Sequence, residues 1–305
     1  MTSTILFQVA VMLLLVFAGW GLSKGGKLPD DRTLGGLLAN ASLPAMIITA
    51  MDTPASSELL ADLGLIVVGF LGVMALGVAM GFLVGKLARQ PTSVAATWAV
   101  CAAFPNVIFM GWPFKYAVYG GASLPLVSGI ALVFNVSIFT LASWLLSLEG
   151  TNRIRPSLKK LFLQPVIISG VIGLVLLLTP LTLPGPAQTT LGMIAATTTP
   201  LAMIFLGSQL SKCSLRDTFL DRRVYIVSFV RLIPVGLVSY FVLSQLIANE
   251  MVVGFLSIGA VMPTASTLPV IAAEQGGDAI FCSKVTILST ILSALTIPLL
   301  IPLMI

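Results

Sequence analysis

The most constraining feature of the sequence is an apolar segment that is long enough to span a membrane but is interrupted near its middle. It covers about Ser93–Tyr119, and the stretch Phe104–Lys115 within it contains Pro105, Gly111 and Pro113. Each proline lacks an amide donor and clashes with the preceding helical turn. Inside a bilayer, backbone groups freed in this way are tolerated only within protein or beside a wet cavity. The pattern predicts either two half-helices that meet in the membrane, as at many transporter sites, or a simple proline kink.

A second interrupted segment repeats the first at a constant distance along the chain. It covers about Val252–Gln275, and its Pro269 follows Pro113 by 156 positions. A pair of glycines lies seven residues after each of these prolines. The same offset aligns two further pairs, Pro44 with Pro200 and Gln8 with Gln164. One register over separate landmarks indicates an internal duplication, and paired interrupted segments favour a transport site between the two halves.

The composition places the chain among helical membrane proteins. Of its 305 residues 57% are hydrophobic and 9% are charged, whereas soluble domains carry about 25% charged residues. The apolar runs are continuous rather than alternating, which excludes a β-barrel. The chain has no histidine, so it lacks the usual general base and the commonest metal ligand, and no cofactor or metal site is predicted. Its cysteines, Cys101, Cys213 and Cys282, are interpreted as reduced thiols.

The apolar segments predict an all-α polytopic protein with ten transmembrane helices. Residues 1–22 are interpreted as the first span rather than as a cleavable signal, because they lack a basic leader and Gln8 interrupts them. The predicted spans are Thr4–Leu22, Thr33–Met51, Leu59–Leu87, Ser93–Tyr119, Ser123–Leu148, Leu161–Leu178, Ala187–Leu210, Arg223–Ile247, Val252–Gln275 and Ala279–Met304.

Charge in the loops predicts how the halves are oriented. Thirteen of the 16 basic residues fall in the odd-numbered loops, which places those loops in the cytoplasm and both termini outside. Residues 1–150 form a first five-helix repeat, residues 151–160 a cytoplasmic connecting loop, and residues 161–305 a second repeat. Since five is odd, the second repeat enters the membrane in the opposite sense, and the duplication is an inverted repeat.

The residues beside the two breaks are the candidate substrate-binding site. Pro113 and Pro269 each suit the first position of an outgoing half-helix, and two helix N-termini that converge favour an anion. Gly111 and Pro263 belong to the same two breaks. Neutral polar groups there either bind the ligand or satisfy carbonyls freed by the prolines; they are Asn106, Thr264, Ser266 and Thr267.

Cationic and polar residues in the spans extend the candidate site. Lys115 lies in the first turn of a half-helix, where it either pairs with an anionic ligand or extends to the membrane interface. Arg231 and Lys284 are expected to extend to the cytoplasmic interface, with an anion-attracting inner vestibule as the alternative. Asn40 and Asn135 either face the cavity or serve helix packing.

Acidic residues are absent from the middle of every predicted span. All 11 of them fall in loops or near span ends, whereas proton relays and cation pumps usually bury a carboxylate. Intramembrane hydrolases need paired aspartates, a zinc site or a serine with a base, so an enzyme is disfavoured. The absence of carboxylates from the middle of the spans therefore predicts that the chain handles an anion.

The run Pro105-Asn106-x-x-x-Met110-Gly111-Trp112-Pro113 resembles the auxin efflux carrier family, which includes bacterial organic-acid permeases. The resemblance covers the whole chain and continues through Leu43–Pro44, Pro200–Ala202, Met262–Thr264 and Gly276–Gly277. It implies a fold similar to bile-acid transporters and sodium/proton antiporters, with crossing broken helices 4 and 9, a scaffold bundle and a moving bundle. It also implies that the matching prolines and Asn106 form the crossover and contact substrate.

The predicted function is a secondary transporter that moves a small organic anion, such as a malonate- or malate-like carboxylate, across the plasma (inner) membrane. The short connecting loop favours a microbial permease over an exporter of auxin-like aromatic carboxylates. An anion channel or a sensor on the same fold is an open alternative. Sodium or proton coupling and a homodimer also stay open, and no nucleic-acid partner is expected.

Overall fold

The architecture is all-helical. It is taken from a computed structural model that describes residues 2–149, 162–212 and 215–305. The predicted connecting loop, residues 151–160, and Cys213 lie outside the described residues. Within the described ranges the only extended pairing is one isolated bridge between Pro105 and Thr264, which belongs to the site below.

The helices follow one another with short connections, and several are joined end to end by π-helical turns. Their bounds are α1 Thr2–Lys24, α2 Asp31–Leu37, α3 Leu43–Met51, α4 Ser57–Leu87, α5 Thr92–Ala103, α6 Trp112–Tyr119, α7 Leu124–Ser137, α8 Ser143–Leu146, α9 Pro165–Leu178, α10 Gly185–Ala196, α11 Thr198–Lys212, α12 Leu215–Leu220, α13 Arg222–Leu232, α14 Pro234–Leu246, α15 Glu250–Ala260, α16 Leu268–Gln275 and α17 Ala279–Leu300. The π turns are Leu38–Ser42, Val107–Gly111 and Ile138–Ala142.

Length and hydropathy make this a multi-pass membrane protein. Among the described residues six helical stretches are long and apolar enough to cross a bilayer, and shorter apolar helices accompany them. The six are Thr33–Met51, Ser57–Leu87, Leu124–Leu146, Gly185–Lys212, Arg222–Leu246 and Ala279–Leu303. Large apolar side chains point outward, with Phe7 70% and Leu14 68% exposed. In water such a surface would be unfavourable, and in a bilayer it faces lipid.

The helices pack in two groups. The first group contains α1–α3 and α9–α11, in which α1 lies along α11 and α3 packs on α9 and α10. The α1–α11 crossing is close because Gly19 and Gly207 present no side chain to it, and a Cβ at either position would overlap backbone of the other helix. Small residues serve this purpose in membrane helix packing.

The second group contains α4–α8 and α13–α17, with α12 packed against it. Its tightest contact is between α4 and α5, where Gly77, Gly81 and Gly85 recur every four residues and so lie on one face of α4. A Cβ added to Gly85 would stand 2.7 Å from the Cβ of Ala95, and the other two glycines meet α5 backbone. This contact fixes α5, whose C-terminal end forms one side of the site.

Both predicted interrupted segments are broken, but the first break is shorter than the sequence indicates. After α5, only Phe104–Asn106 leave the helix, and the π turn Val107–Gly111 runs directly into α6. Gly111 donates its N–H to the Asn106 carbonyl at 2.9 Å and so lies inside the π turn. Pro113 is the second residue of α6 and does not begin the half-helix. Because the outgoing helix already begins at Val107, Pro113 lies beyond its first turn, just after the π turn.

Candidate functional site

The site is the crossing of the two broken segments. Pro105 and Thr264 form an antiparallel bridge between the segments. The Asn106 N–H donates to the Pro263 carbonyl at 2.7 Å, and the Ala265 N–H donates to the Phe104 carbonyl at 2.9 Å. These bonds turn backbone amides away from their own helices and pair them across the crossing. Pro263 therefore contributes to the site through its carbonyl.

The Thr264 hydroxyl forms a hydrogen bond with a backbone carbonyl that has no helical partner because of a proline. In a regular helix the Cys101 carbonyl would accept from the N–H four residues later, but that residue is Pro105, which has none. The Thr264 hydroxyl donates to the Cys101 carbonyl instead, at 2.9 Å. The Thr264 N–H donates to the Ser289 hydroxyl at 3.1 Å. Thr264 is buried, and of the two roles predicted for it the structure supports the satisfaction of backbone.

Arg231 lies at the crossing, where the sequence-based reasoning did not expect it. The prediction that its side chain extends to the membrane interface is wrong, because it is fully buried at 0% exposure. Its guanidinium donates to the carbonyls of Met262 at 3.0 Å and of Ala102 at 2.7 Å, and also to that of Ala260. Arginine has five N–H donors and no acceptor, and this side chain uses three of them to join the C-terminal ends of α5 and α15.

A cavity of about 360 Å³ opens beside the crossing, between the two helical groups. Four of the predicted substrate-binding residues line it, namely Asn106, Asn135, Ser266 and Thr267. Pockets that bind small molecules typically measure roughly 300–1,000 Å³, so this one suits a small solute. Its apolar walls include four phenylalanines: Phe109, Phe134, Phe139 and Phe205.

Three hydrogen-bond donors in this lining are left without a partner among the described residues. They are the side-chain amide nitrogen of Asn106 and the hydroxyls of Ser266 and Thr267, all buried at the atom concerned. The other side-chain atom of Asn106, Oδ1, accepts from the Phe109 N–H at 3.3 Å and caps the outgoing helix. Buried polar groups are normally satisfied, so unsatisfied ones need an explanation. All three lie at the N-terminal ends of the two outgoing half-helices, where partial positive charge accumulates.

Three further polar side chains line the cavity and were not predicted as site residues. Gln164 and Gln209 come from the first helical group, and Glu274 adds a carboxylate that is exposed to solvent. Gln164 was used only to align the two halves, although a glutamine at the start of an apolar span is itself a signal of a polar function. Gln209 and the phenylalanines carry no such signal, because nothing local distinguishes them from packing residues.

The remaining predicted residues do not line this cavity. Gly111 lies behind it, and a Cβ there would stand 3.4 Å from the Asn106 carbonyl oxygen and 3.4 Å from Met262. Pro113 is the second residue of α6, and Pro269 is the second residue of α16. Asn40 is exposed in the π turn Leu38–Ser42. Among the four predicted residues that do line the cavity, Asn135 differs from the others, because its amide already donates to the Ala131 carbonyl at 2.7 Å.

Lys115 is buried inside the second helical group. The alternative that it extends to the interface is wrong, because it is 0% exposed. Its ammonium lies 4.2 Å from the ring centroid of Phe255 and has no hydrogen-bond partner within the described chain. A cation over an aromatic face is attracted by the ring quadrupole. The described side chains thus include two fully buried cations, Lys115 and Arg231, and no buried carboxylate.

A second, apolar cavity of about 200 Å³ lies where α1 and α11 approach α17. Five of its lining residues are each 156 positions from a residue that lines the first cavity. The pairs are Met110 with Ser266, Phe114 with Val270, Thr290 with Phe134, Ile291 with Asn135 and Ala294 with Ile138. The 156-residue offset found in the sequence thus relates the two cavities. Positions that are polar in the first cavity, such as Ser266 and Asn135, are apolar at the equivalent places in the second.

Comparison with known proteins identifies the family of this chain. The family described as "Membrane transport protein" matches residues 4–155 and 148–301 of this chain. A relative from Methanothermobacter thermautotrophicus, described as an uncharacterized transporter, is 29% identical over 298 residues, which is 95% of each chain. These are transporters and not enzymes. The chain therefore belongs to the membrane transport protein family, the family of the auxin efflux carriers.

Proposed function

We propose that this protein is a secondary transporter that moves a small organic anion, a mono- or dicarboxylate, and binds it at the crossing. The observation that carries the proposal is the set of unpartnered donors on Asn106, Ser266 and Thr267, three residues that line one cavity. A carboxylate accepts about four hydrogen bonds and donates none, so it complements an amide N–H and two hydroxyls. Neutral donors alone would also suit a carbonyl compound.

The charge of the surrounding protein favours an anion over a neutral solute. Both outgoing half-helices direct N-terminal ends toward the cavity, and each such end is equivalent to roughly half a positive charge. Lys115 and Arg231 are buried in the same helical group, and no described carboxylate is buried to offset them. In a low-dielectric interior these charges act over longer distances than in water.

The position of the cavity supports alternating access. Asn106 and Ser266 belong to the second helical group, whereas Gln164, Phe205 and Gln209 belong to the first. Rocking or sliding of one group against the other would therefore carry the crossing past a fixed wall, as in an elevator. The 156-residue relation between the two cavities supports a pair of inverted repeats, residues 1–150 and 161–305, with ten spans in total.

The charges of the loops support a polar cavity that opens toward the cytoplasm. If the basic odd-numbered loops are cytoplasmic, then Gln164 at the start of α9 and Glu274 at the end of α16 both lie toward the cytoplasm. The structure then corresponds to an inward-facing state in the plasma (inner) membrane, with both termini outside.

A specific observation favours the aromatic carboxylates as a second candidate class. Four phenylalanines line the cavity, and Phe109 and Phe205 meet edge to face at 6.0 Å between ring centroids. Such walls stabilise an apolar or aromatic body, whereas a small diacid would leave its second carboxylate against hydrocarbon. Export of a phenylacetate-like monocarboxylate is therefore the alternative to malonate transport.

The test is a thermal-shift screen of the purified protein against malonate, malate, oxalate, benzoate and phenylacetate. A ligand that raises the melting temperature of the wild type should shift Asn106→Ala much less, because the variant lacks the amide donor. Asn40→Ala is the matched control, since Asn40 is exposed and lies outside the cavity. Equal shifts in Asn106→Ala and the wild type would refute the assignment of the site.

Liposomes that contain the purified protein distinguish a carrier from other classes on the same fold. A carrier shows saturable uptake of the hit compound and accelerates exchange with internal substrate. A non-saturating conductance would indicate a channel, and binding without flux would indicate a sensor. Either of these results would overturn transport by alternating access.

A further inference from the structure

Two backbone carbonyls at the crossing lose their helical partners because of the crossing itself. In a continuous helix the Ala102 carbonyl would accept from the Asn106 N–H, and the Ala260 carbonyl from the Thr264 N–H. The Asn106 N–H donates to Pro263 across the crossing, and the Thr264 N–H donates to Ser289. An unpaired buried carbonyl is costly, and each of these two lies at the negative end of a half-helix.

The Arg231 guanidinium satisfies both carbonyls at once. It contacts Ala102 and Ala260, each three residues before the first proline of its break, and it also bonds Met262 within the second break. Converging carbonyl oxygens at helix C-termini in the membrane are the kind of ligand set that holds sodium in transporters with broken helices. In this protein the cation among the carbonyl oxygens is the Arg231 guanidinium, which belongs to the chain itself and is fully buried.

We propose that Arg231 is a built-in cation that takes the place of a dissociable coupling cation at the crossing, so that the anion binds and crosses without sodium. The statement that the anion crosses without sodium rests on the proposed transport function. The role of Arg231 in holding the crossing together does not depend on the substrate. Arg231 is a positioning residue: it fixes the carbonyl ends of α5 and α15, and thereby the bridge that presents Asn106 and Ser266 to the cavity. Because it does not dissociate, an inward or outward sodium gradient has no site here on which to act.

The first test uses the wild-type protein in detergent and needs no substrate. Its melting temperature is compared in sodium chloride and in choline chloride at equal ionic strength. A sodium site filled at 100 times its Kd would raise the melting temperature by roughly 5 to 10 °C. We expect no saturable difference, and a saturable stabilisation by sodium would overturn the proposal.

The second test separates the charge of Arg231 from its packing. Arg231→Gln keeps a polar amide but loses the cation, whereas Arg231→Lys keeps the cation with fewer donors. We expect the glutamine variant to melt roughly 5 to 10 °C below the wild type and to regain stability when millimolar guanidinium or sodium is added. The lysine variant should lose less and stay insensitive to sodium. Arg223→Gln is the matched control, because Arg223 lies on the same helix, is exposed and pairs with Asp221.

Each outcome of these melts decides the proposal. Recovery of Arg231→Gln by guanidinium or sodium, with no such effect on Arg223→Gln, supports it. A glutamine variant as stable as the wild type, or one that neither cation restores, refutes it. If Arg231→Gln does not fold, the lysine variant and the wild-type comparison in choline decide. If no carboxylate raised the melting temperature in the thermal-shift screen, the proposed transport function would be refuted. The melts of the Arg231 variants would still decide the role of Arg231, because they need no substrate.

Discussion

Replacement of Asn106 by aspartate exchanges one heavy atom of the proposed site, the amide nitrogen for a carboxylate oxygen, and leaves the shape of the side chain intact. The Oδ1 atom caps the outgoing helix by accepting from the Phe109 N–H at 3.3 Å, and an aspartate oxygen can do the same. Asparagine and aspartate are about equally good N-caps. The Nδ2 donor, which has no partner among the described residues, is replaced by an acceptor that carries negative charge.

The expected loss of binding follows from two terms. A hydrogen bond to a charged group contributes about 1.5–3 kcal/mol, and Asn106→Asp removes one. Two like charges about 4 Å apart repel by about 4 kcal/mol at an effective dielectric constant of 20. Since each 1.4 kcal/mol is a factor of ten, the Kd for a carboxylate should rise roughly 10⁴- to 10⁵-fold. Asn106→Ala lacks the repulsion and should lose only about 10- to 100-fold.

The assay measures the Kd of the best carboxylate by titration calorimetry and the melting temperature of each variant without ligand. Asn106→Asp should bind far more weakly than Asn106→Ala, although only the alanine variant loses the cap. Asn40→Asp controls for added charge outside the cavity. If Asn106→Asp binds the carboxylate within a factor of three of the wild type, the anion does not lie at the crossing.

Three more substitutions test the other parts of the reasoning. Ser266→Ala should weaken carboxylate binding about tenfold or more without lowering the melting temperature, since its hydroxyl has no partner to lose; an unchanged Kd would remove Ser266 from the site. Thr264→Val should do the reverse and lower the melting temperature by roughly 2–10 °C, because the Cys101 carbonyl loses its donor. Gly81→Leu should abolish folding through overlap with Ala99, whereas Gly72→Leu, with open space around it, should be tolerated; equal yields would contradict the tight α4–α5 contact.

The sequence was sufficient to locate the crossing because proline leaves a local and unambiguous mark. Pro105 and Pro263 each remove an amide from an apolar run, and both runs are broken at those residues. Pro113 gave a misleading signal, because it lies inside the outgoing helix that Asn106 caps, just after the π turn, and does not begin that helix. Ser42 shares a hydrogen bond at 2.9 Å with Thr197, which is the neighbour of Thr198, the residue that the 156-residue offset pairs with Ser42.

The residues that sequence reasoning missed are those whose role depends on contacts between distant parts of the chain. Arg231 lies 129 positions from Ala102 and near the end of its own helix, so its local context indicates an interfacial arginine. Only the hydrogen bonds from Arg231 on α13 to Ala102 of α5 and Ala260 of α15 show that its partners are carbonyls. The role of Phe205 was missed for the same reason. In the sequence it is an ordinary apolar residue, and only the structure shows its ring edge to face with that of Phe109 at the cavity.

The polar side chains of the cavity come from both helical groups, and the two sets should have different roles during transport. Asn106 and Ser266 lie on the group held together by Arg231, so they would stay with the anion during any relative movement of the groups. Gln164 and Gln209 lie on the opposite wall, and movement would separate the anion from them. Substitutions of the first pair should therefore change affinity on both sides of the membrane, whereas substitutions of the second pair should change it only when the cavity faces the cytoplasm. Affinity measured from the two sides of sealed, oriented vesicles distinguishes these outcomes, and equal effects of Gln164→Ala from both sides would contradict a moving crossing.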